Sequence, residues 1–522
     1  MDLLQRFTGL FEKLENHLAS YEEKTFRRFA LLLYVLVAAA NVLTHEIWFD
    51  EMQHWLIAKD SHSIMELFHN LRYDGHPPLW HLMLYAVSRV THNPAGMQVL
   101  HLAIAAASAY IFLRFAPFTR LQRLLFVFGY FPLYEYAAIS RNYAIGLLLI
   151  FSFCAAMGQG RGKRYLLISV ILFLLCLANA YAFMIAASFA IMLGMEFLLS
   201  REARNSINGP RWHIAAAILI VLTAMVLSAI MMIPKPDGEF SGKWTTTLDL
   251  PRLQRSIATI WQSFVPIPRL GRYCYWDTNI LPDKLVPACL SVLLAFFLLF
   301  AFAKKKFVMF LWYFGTVAIL VLQYLKYLGY IRHHGHLFIL FIACMWLSQY
   351  YKTDTNLKTR LFDKAADFCA LRVHLVLNVL LVIHLGVGIF ASGMGWFCPF
   401  STGKLAARYI SENGLSKLPI AGDSDTSTPV ISGYLDRELY YPRRDKVGTF
   451  IVFDNKAEYK MSKRRLIEKV RRFANEQKSD VLLVLNYDIP ENKEVVVKVK
   501  EFKGSIWSNE NFRLYLFRRP NQ

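Results

Sequence analysis

The chain has 522 residues, 55% of them hydrophobic and only 18% charged, with a mean hydropathy of +0.32. Soluble globular chains run at about 45–50% apolar and about 25% charged, so the composition is that of a polytopic membrane protein. It excludes a disordered chain, a collagen-like repeat and a small disulfide scaffold. The net charge of +20 is explained more simply by basic loops facing anionic lipid than by nucleic acid.

An amphipathic charged stretch, Leu3 to Arg28, precedes the first apolar run and shows no cleavage site, so that run reads as a retained span. The long apolar runs are 29–44, 96–113, 123–138, 143–158, 165–178, 183–199, 213–233, 286–303, 307–325, 337–350 and 373–393. They predict about 11 transmembrane helices. Alternate connectors are rich in cations: Arg27 and Arg28; Arg114, Arg120 and Arg123; Arg161, Lys163 and Arg164; Arg201, Arg204 and Arg211; Lys304 to Lys306; Lys352, Lys358 and Arg360. The positive-inside rule puts these in the cytoplasm, with the N-terminus. Residues 77–90 are apolar but too short to cross. They read as a helix lying on the outer surface, and Leu250 to Phe264 as a second amphipathic interfacial helix.

From about residue 396 the composition becomes soluble. The expected organisation is a transmembrane domain, 1–395, and a small α/β domain outside the membrane, 396–522. The latter carries 23 Lys and Arg against 16 Asp and Glu, about +7, which suits either a solvated basic surface or a surface resting on headgroups. Lys404–Asn413, Ser427–Arg437 and Met461–Lys478 read as helices; Phe450–Phe453, Val481–Leu485, Val495–Val499 and Phe512–Phe517 read as strands. The seven cysteines form no CxxC motif and read mostly as small hydrophobes. Cys274 and Cys398 both fall outside and can pair.

Polar residues gather in the outer connectors. Trp48-Phe49-Asp50-Glu51 follows the first span. Carboxylates beside a bilayer mark a site by default, and one placed there can act as a general base toward a hydroxyl. The alternative is a solvated loop cap with interfacial aromatics. Asp74-Gly75-His76-Pro77-Pro78-Leu79 follows, its prolines presetting entry into the next helix. The next outer connector holds Tyr134-Glu135-Tyr136 and Ser140-Arg141-Asn142-Tyr143. Arg141 can pair with Glu135 to close the bundle or grip a phosphate. Arg332-His333-His334-Gly335-His336 lies between two late spans. It lacks metal-ligand spacing and an adjacent carboxylate, which favours a phosphate-binding cluster over a metal site or a structural turn. All four clusters fall on one face under the charge-derived topology.

At these residues the chain resembles the GT-C superfamily of integral-membrane glycosyltransferases, in the branch of protein O-mannosyltransferases and the lipid A aminoarabinose transferase. The resemblance rests on Asp50-Glu51, on His76-Pro77-Pro78-Leu79 and on Ser140-Arg141-Asn142-Tyr143. It covers roughly the first 200 residues; the later spans match in layout. It implies a sugar donor on a polyprenyl phosphate, a hydroxyl acceptor on a glycan, glycolipid or protein, and inverting transfer at the outer face. Asp50 would be the general base and Glu51 its partner. Arg141, Arg332, His333 and His336 would hold the leaving phosphate, and His76, Glu135, Tyr143 and Trp48 would contact substrate. No metal is expected, since the nearest branch needs none and no DxD surrounds Asp50. The expected location is a bacterial inner membrane, with the C-terminal domain periplasmic. The aminoarabinose transferases have Lys-Pro where this chain has His76-Pro77 and Asp where it has Glu135, so the donor sugar is not carried over. The competing classes are a lipid or solute transporter, against which the one-sided clusters weigh, and a glycan polymerase or ligase of another membrane fold.

Overall fold

The computed structural model describes residues 2–158, 164–205, 210–241, 244–270, 274–281, 284–353, 359–423, 427–492 and 494–519. The cations Arg161, Lys163 and Lys358 lie outside the described residues. The helices of the first part are α1 (Asp2–Ala19), α2 (Glu23–Thr44), α3 (Phe49–Lys59), α4 (Ile64–Asn70), α5 (Leu79–Ser88), α6 (Ala95–Phe115), α7 (Arg120–Val127), α8 (Tyr143–Gly158), α9 (Tyr165–Cys176), α10 (Ala180–Leu199) and α11 (Arg201–Asn205). There follow α12 (Arg211–Met232), α13 (Leu250–Phe264), α14 (Leu285–Ala301), α15 (Lys306–Leu325), α16 (Ile331–Leu347) and α17 (Arg360–Phe397). The C-terminal part holds β1 (Ile420–Gly422), β2 (Leu439–Tyr441), β3 (Lys446–Gly448), β4 (Val481–Leu485), β5 (Val496–Glu501) and β6 (Arg513–Phe517). Its helices are α18 (Gly403–Glu412), α19 (Thr428–Leu435) and α20 (Lys463–Gln477).

Among the described residues, six helices are long and apolar enough to cross a bilayer: α2, α6, α10, α12, α15 and α17. The apolar helices α8, α9 and α14 are shorter. The run 123–138 is not one helix. It breaks after Val127 into a π-helical turn, Tyr130–Glu135, buried throughout. Pro132 within it lacks the N–H an α-helix needs. At the other extreme, every residue of α16 is buried, and this helix fills the centre of the bundle. Residues 331–336 are its first turn and a half, not a connector.

The bundle has two chemically distinct ends. At one, basic residues meet acidic partners or carbonyls: Arg120 and Arg123 with Glu23, Lys304 with Asp363, Lys352 with Glu202. At the other, the remaining connectors interlock. Leu79 N–H donates to the Leu177 carbonyl, Asn179 Nδ2 to Asn142, and Tyr181 Oη to Tyr327. Helices α3 and α5 lie among these connectors, but α13 does not rest on the surface as expected for 250–264: its C-terminal half enters the bundle, where Phe264 packs against Trp312, Phe338 and Phe341 and the Trp261 backbone N–H donates to Ser291 Oγ at 2.9 Å.

The C-terminal part is a six-stranded mixed sheet in the order β3-β2-β1-β4-β6-β5, with β1 parallel to both neighbours. Its period-2 alternation serves two cores. Val481, Leu483 and Leu485 pack with Leu466, Val470 and Phe473 of α20, while Leu482, Val484 and Leu514 join the core of the helical part. Residues 450–453 form no strand; Ile451 instead exchanges backbone bonds with the Gln53 side chain, at 2.6 and 2.9 Å. The three-residue strands β1, β2 and β3 carry too few residues for an alternation to show. Cys274 and Cys398 are both free.

Candidate functional site

The site begins where α2 ends. Extended backbone at Trp48 caps α3, and Asp50 and Glu51 occupy its first turn, where carboxylates suit the helix dipole. These two neighbours do different things. Glu51 is fully buried, and its Oε2 accepts from His45 Nε2 at 2.7 Å and from Trp48 N–H at 3.1 Å. Its Oε1 accepts from the Ser140 backbone N–H. Glu51 therefore ties the start of α3 to the segment before α8. Asp50 turns the other way and keeps 23% of its side chain exposed.

Asp50 Oδ2 lies 3.2 Å from Arg141 Nη1 and 3.2 Å from Arg332 Nη2. Arg141 also donates to the Asp50 carbonyl at 2.8 Å. Arg332 bridges two carboxylates, its Nη1 standing 3.0 Å from Asp277 Oδ2. Its guanidinium sits in an aromatic cage, 5.3 Å from the Trp48 ring, 4.9 Å from Trp276 and 4.6 Å from Tyr330. Asp277 has φ of 59°, a left-handed conformation rare outside glycine, and also accepts from Ile331 N–H at 3.0 Å. Burial pushes its carboxyl up to about 6 despite the pull of Arg332.

His333 is fixed by two contacts. Tyr330 N–H donates to its Nδ1 at 2.9 Å, so Nε2 carries the proton and donates to Tyr143 Oη at 2.8 Å. The Tyr143 hydroxyl proton is then left to point elsewhere. His336 donates from Nδ1 to the His333 carbonyl at 3.0 Å and stacks on Tyr181. Glu135 does not pair with Arg141. Its Oε2 accepts from Tyr130 Oη at 2.7 Å and Trp276 Nε1 at 3.1 Å, and its Oε1 is buried without a hydrogen-bond partner.

His76 belongs to a neighbouring group. Its Nδ1 lies 2.9 Å from Asp74 Oδ2, and Asp74 also faces His54 and His81. Burial and the surrounding cations, Arg141 among them, hold His54 well below the ordinary imidazole range and His81 at about 4. Burial raises the Asp74 carboxyl, but the bond to His76 and the nearby His81 and Arg141 side chains bring it down to about 2.

The four sequence clusters thus converge at one end of the bundle. Three participants were missed. Asp277 lies in a long connector, where an acid among aromatics (Tyr275-Trp276-Asp277) was the available signal. His54 stands one turn after Asp50, a spacing that puts both on one face of α3. Glu510 comes from the far end of the chain and carried no local signal. It accepts from Phe49 N–H at 3.1 Å and from Ser401 Oγ at 2.7 Å. With it, Tyr434 Oη accepts from Ile47 N–H at 2.9 Å and Glu46 Oε2 from Phe400 N–H at 2.8 Å. The C-terminal part therefore clamps the segment that leads into α3, just before Asp50.

A separate apolar groove of about 410 Å³ lies between α9, α10 and α12, lined by Tyr165, Leu172, Leu193 and Met225 among others. It opens near the basic end and contains no group of the Asp50 cluster.

No family model matches the chain, and no curated protein matches it. Among solved structures, the chain is similar to a crystal structure of ArnT from Cupriavidus metallidurans bound to undecaprenyl phosphate. The identity is 12%, the TM-score 0.48, and the match spans 94% of this chain and 99% of that one.

Proposed function

We propose that the protein is a membrane glycosyltransferase that moves a sugar from a polyprenyl phosphate to a hydroxyl acceptor at the outer face of a bacterial inner membrane. The observation that carries this reading is a partly exposed carboxylate, Asp50, held between two guanidiniums at the connector-rich end of the bundle. The resemblance of its flanking motifs to GT-C transferases agrees with it.

A donor phosphate competes with Asp50 for Arg141 and Arg332. Both arginines can offer it charge-assisted bonds, and as it binds, Asp50 is released to take a proton. The acceptor hydroxyl gives its proton to Asp50, and its oxygen attacks the anomeric carbon from the side opposite the phosphate. The bond between that carbon and the phosphate oxygen breaks, and the electron pair leaves on polyprenyl phosphate. Negative charge grows on that oxygen in the transition state, where Arg332, Arg141 and the Tyr143 hydroxyl stabilise it. His333 orients Tyr143, and His336 supports His333 from the next turn. Glu51 acts by positioning, since its oxygens are taken by His45 and two backbone donors. Trp48 shields the guanidinium of Arg332; the buried Glu135 acts through Trp276, whose indole N–H it accepts, and His76 stands apart with Asp74, so neither contacts the sugar as the resemblance implied. In this scheme the guanidiniums supply the charge for transfer and no metal takes part in the step.

The one-sided grouping of charge also argues against a transport path, which places ionisable groups near mid-membrane. The test incubates purified protein with radiolabelled polyprenyl-phosphate sugars and membrane extract. Transfer of label to a membrane glycan, lipid or protein is expected. Transfer from nucleotide sugars alone would overturn the donor class.

A further inference from the structure

The first outer connector contains a second constellation, behind the Asp50 cluster. His54 comes from α3, Asp74 from the loop before α5, and His81 from the first turn of α5. His54 and His81 are 3% and 0% exposed at the side chain, and Asp74 is 5%. Their ligand-type atoms all lie within 4.8 Å of one another.

The distances do not suit direct hydrogen bonds. His54 Nε2 is 3.7 Å and His81 Nε2 is 3.6 Å from the same oxygen, Asp74 Oδ2. Both exceed a hydrogen bond. They come close to the edge of a tetrahedron around an ion with bonds of about 2.0–2.1 Å, which is roughly 3.4 Å. Neither ring nitrogen of His81 has a hydrogen-bond partner, and His54 Nδ1 has none. A buried imidazole with two unused polar atoms is costly unless something binds it.

We propose that His54, Asp74 and His81 bind a divalent transition-metal ion of the zinc type. Two imidazoles and one carboxylate are the donor set such ions take. His76 Nδ1, 2.9 Å from Asp74 Oδ2, orients the carboxylate as an outer-shell partner. At 30% exposure its ring also marks the way in from solvent. The cation facing this group, Arg141, is itself paired with Asp50. The ion ties α5 to α3 one turn beyond Asp50 and so fixes the helix that presents the carboxylate. The site is independent of the transfer reading, because its test measures metal rather than sugar.

The untagged full-length chain, purified in detergent and stripped with a chelator, is titrated with Zn²⁺ and Co²⁺. Metal content, visible cobalt absorption and thermal unfolding are recorded. Wild type should take up about one ion per chain, show the intense bands of tetrahedral cobalt, and unfold at higher temperature with metal. His92→Ala, at an exposed histidine, should behave as wild type. His54→Ala and His81→Gln should bind at least roughly tenfold more weakly and lose the metal-dependent rise in unfolding temperature. Asp74→Asn, the same in size, replaces them should either histidine variant fail to fold. A wild-type chain without stoichiometric metal, or variants that bind as wild type does, would overturn the proposal.

Discussion

Asp50 and Arg332 are 282 residues apart in the chain, yet their side chains meet at 3.2 Å. The contact joins the first turn of α3 to the first turn of the central helix α16. Arg332 is shared, since Asp277 holds its other nitrogen at 3.0 Å. A phosphate arriving here does not meet a bare cation. In the proposed reaction it would exchange places with a carboxylate, and that exchange would link donor binding to release of the base.

The fork of Arg332 is what allows it to serve two acids at once. A lysine in its place is a point charge and cannot span both. Arg332→Lys should therefore raise the donor KM about tenfold or more, with Arg332→Ala no better. Steady-state kinetics at varied donor concentration check this. A donor KM unchanged in both variants would remove the phosphate role from Arg332.

Glu51 should behave as a structural group. Glu51→Ala strands His45 and the N–H groups of Trp48 and Ser140, and should cost about 3 kcal/mol or more of stability. Thermal unfolding of the detergent-solubilised chain should register this as a loss of several degrees. A variant with wild-type stability and no activity would return Glu51 to direct chemistry.

Glu510 predicts how stability varies with pH. Burial, with the charges of Asp50 and Glu51 behind it, raises its carboxyl to about 8 against the bonds from Ser401 and Phe49. The folded chain holds this proton while an ordinary glutamate, at 4.5, has lost it. The contribution is complete below 4.5 and is lost as pH rises to about 8, by up to about 1.4 kcal/mol per pH unit. The unfolding temperature should fall from pH 5 to pH 8, and Glu510→Gln should flatten that slope. Parallel slopes in the two proteins would contradict the assignment.

The clamp between the C-terminal part and α3 depends on a close approach at Gly433. A Cβ there would run into the Met52 side chain, which is fully buried. Gly433→Ala should lower stability by about 1–3 kcal/mol and depress transfer. Met52→Ala in the same chain should restore part of both, because the pair shares one space. No gain from the second change would mean that the seam tolerates the added methyl.

Much of this arrangement was legible in the residues. Apolar run length marks most of the helices, although among the described residues only six are long and apolar enough to cross a bilayer where about 11 spans are expected. The break after Val127 was not, because the apolar composition of 123–138 hides a π-helical turn. The short strands β1 to β3 escaped for want of length. In the site, Asp50, Arg141 and Arg332 stood out because charge beside a bilayer is costly. Asp277 and Glu510 stood out less, since each sits in a segment whose partner lies far away in sequence. Pairings of that kind are fixed by tertiary packing and leave no local pattern. His54, Asp74 and His81 lie too far apart along the chain to show a metal-ligand spacing, and only the packing of α5 on α3 brings them together.

The proposed mechanism has Asp50 and Arg332 share one site with the donor phosphate. Equilibrium binding of a polyprenyl phosphate, followed by the fluorescence of Trp48 and Trp276, tests it most directly in Asp50→Asn. With its competitor neutralised, the arginine pair should bind the lipid phosphate as tightly as wild type or more tightly, while transfer falls by about 10²–10⁴-fold. Asp50→Asn protein that keeps full transfer, or loses lipid-phosphate affinity, would contradict the mechanism.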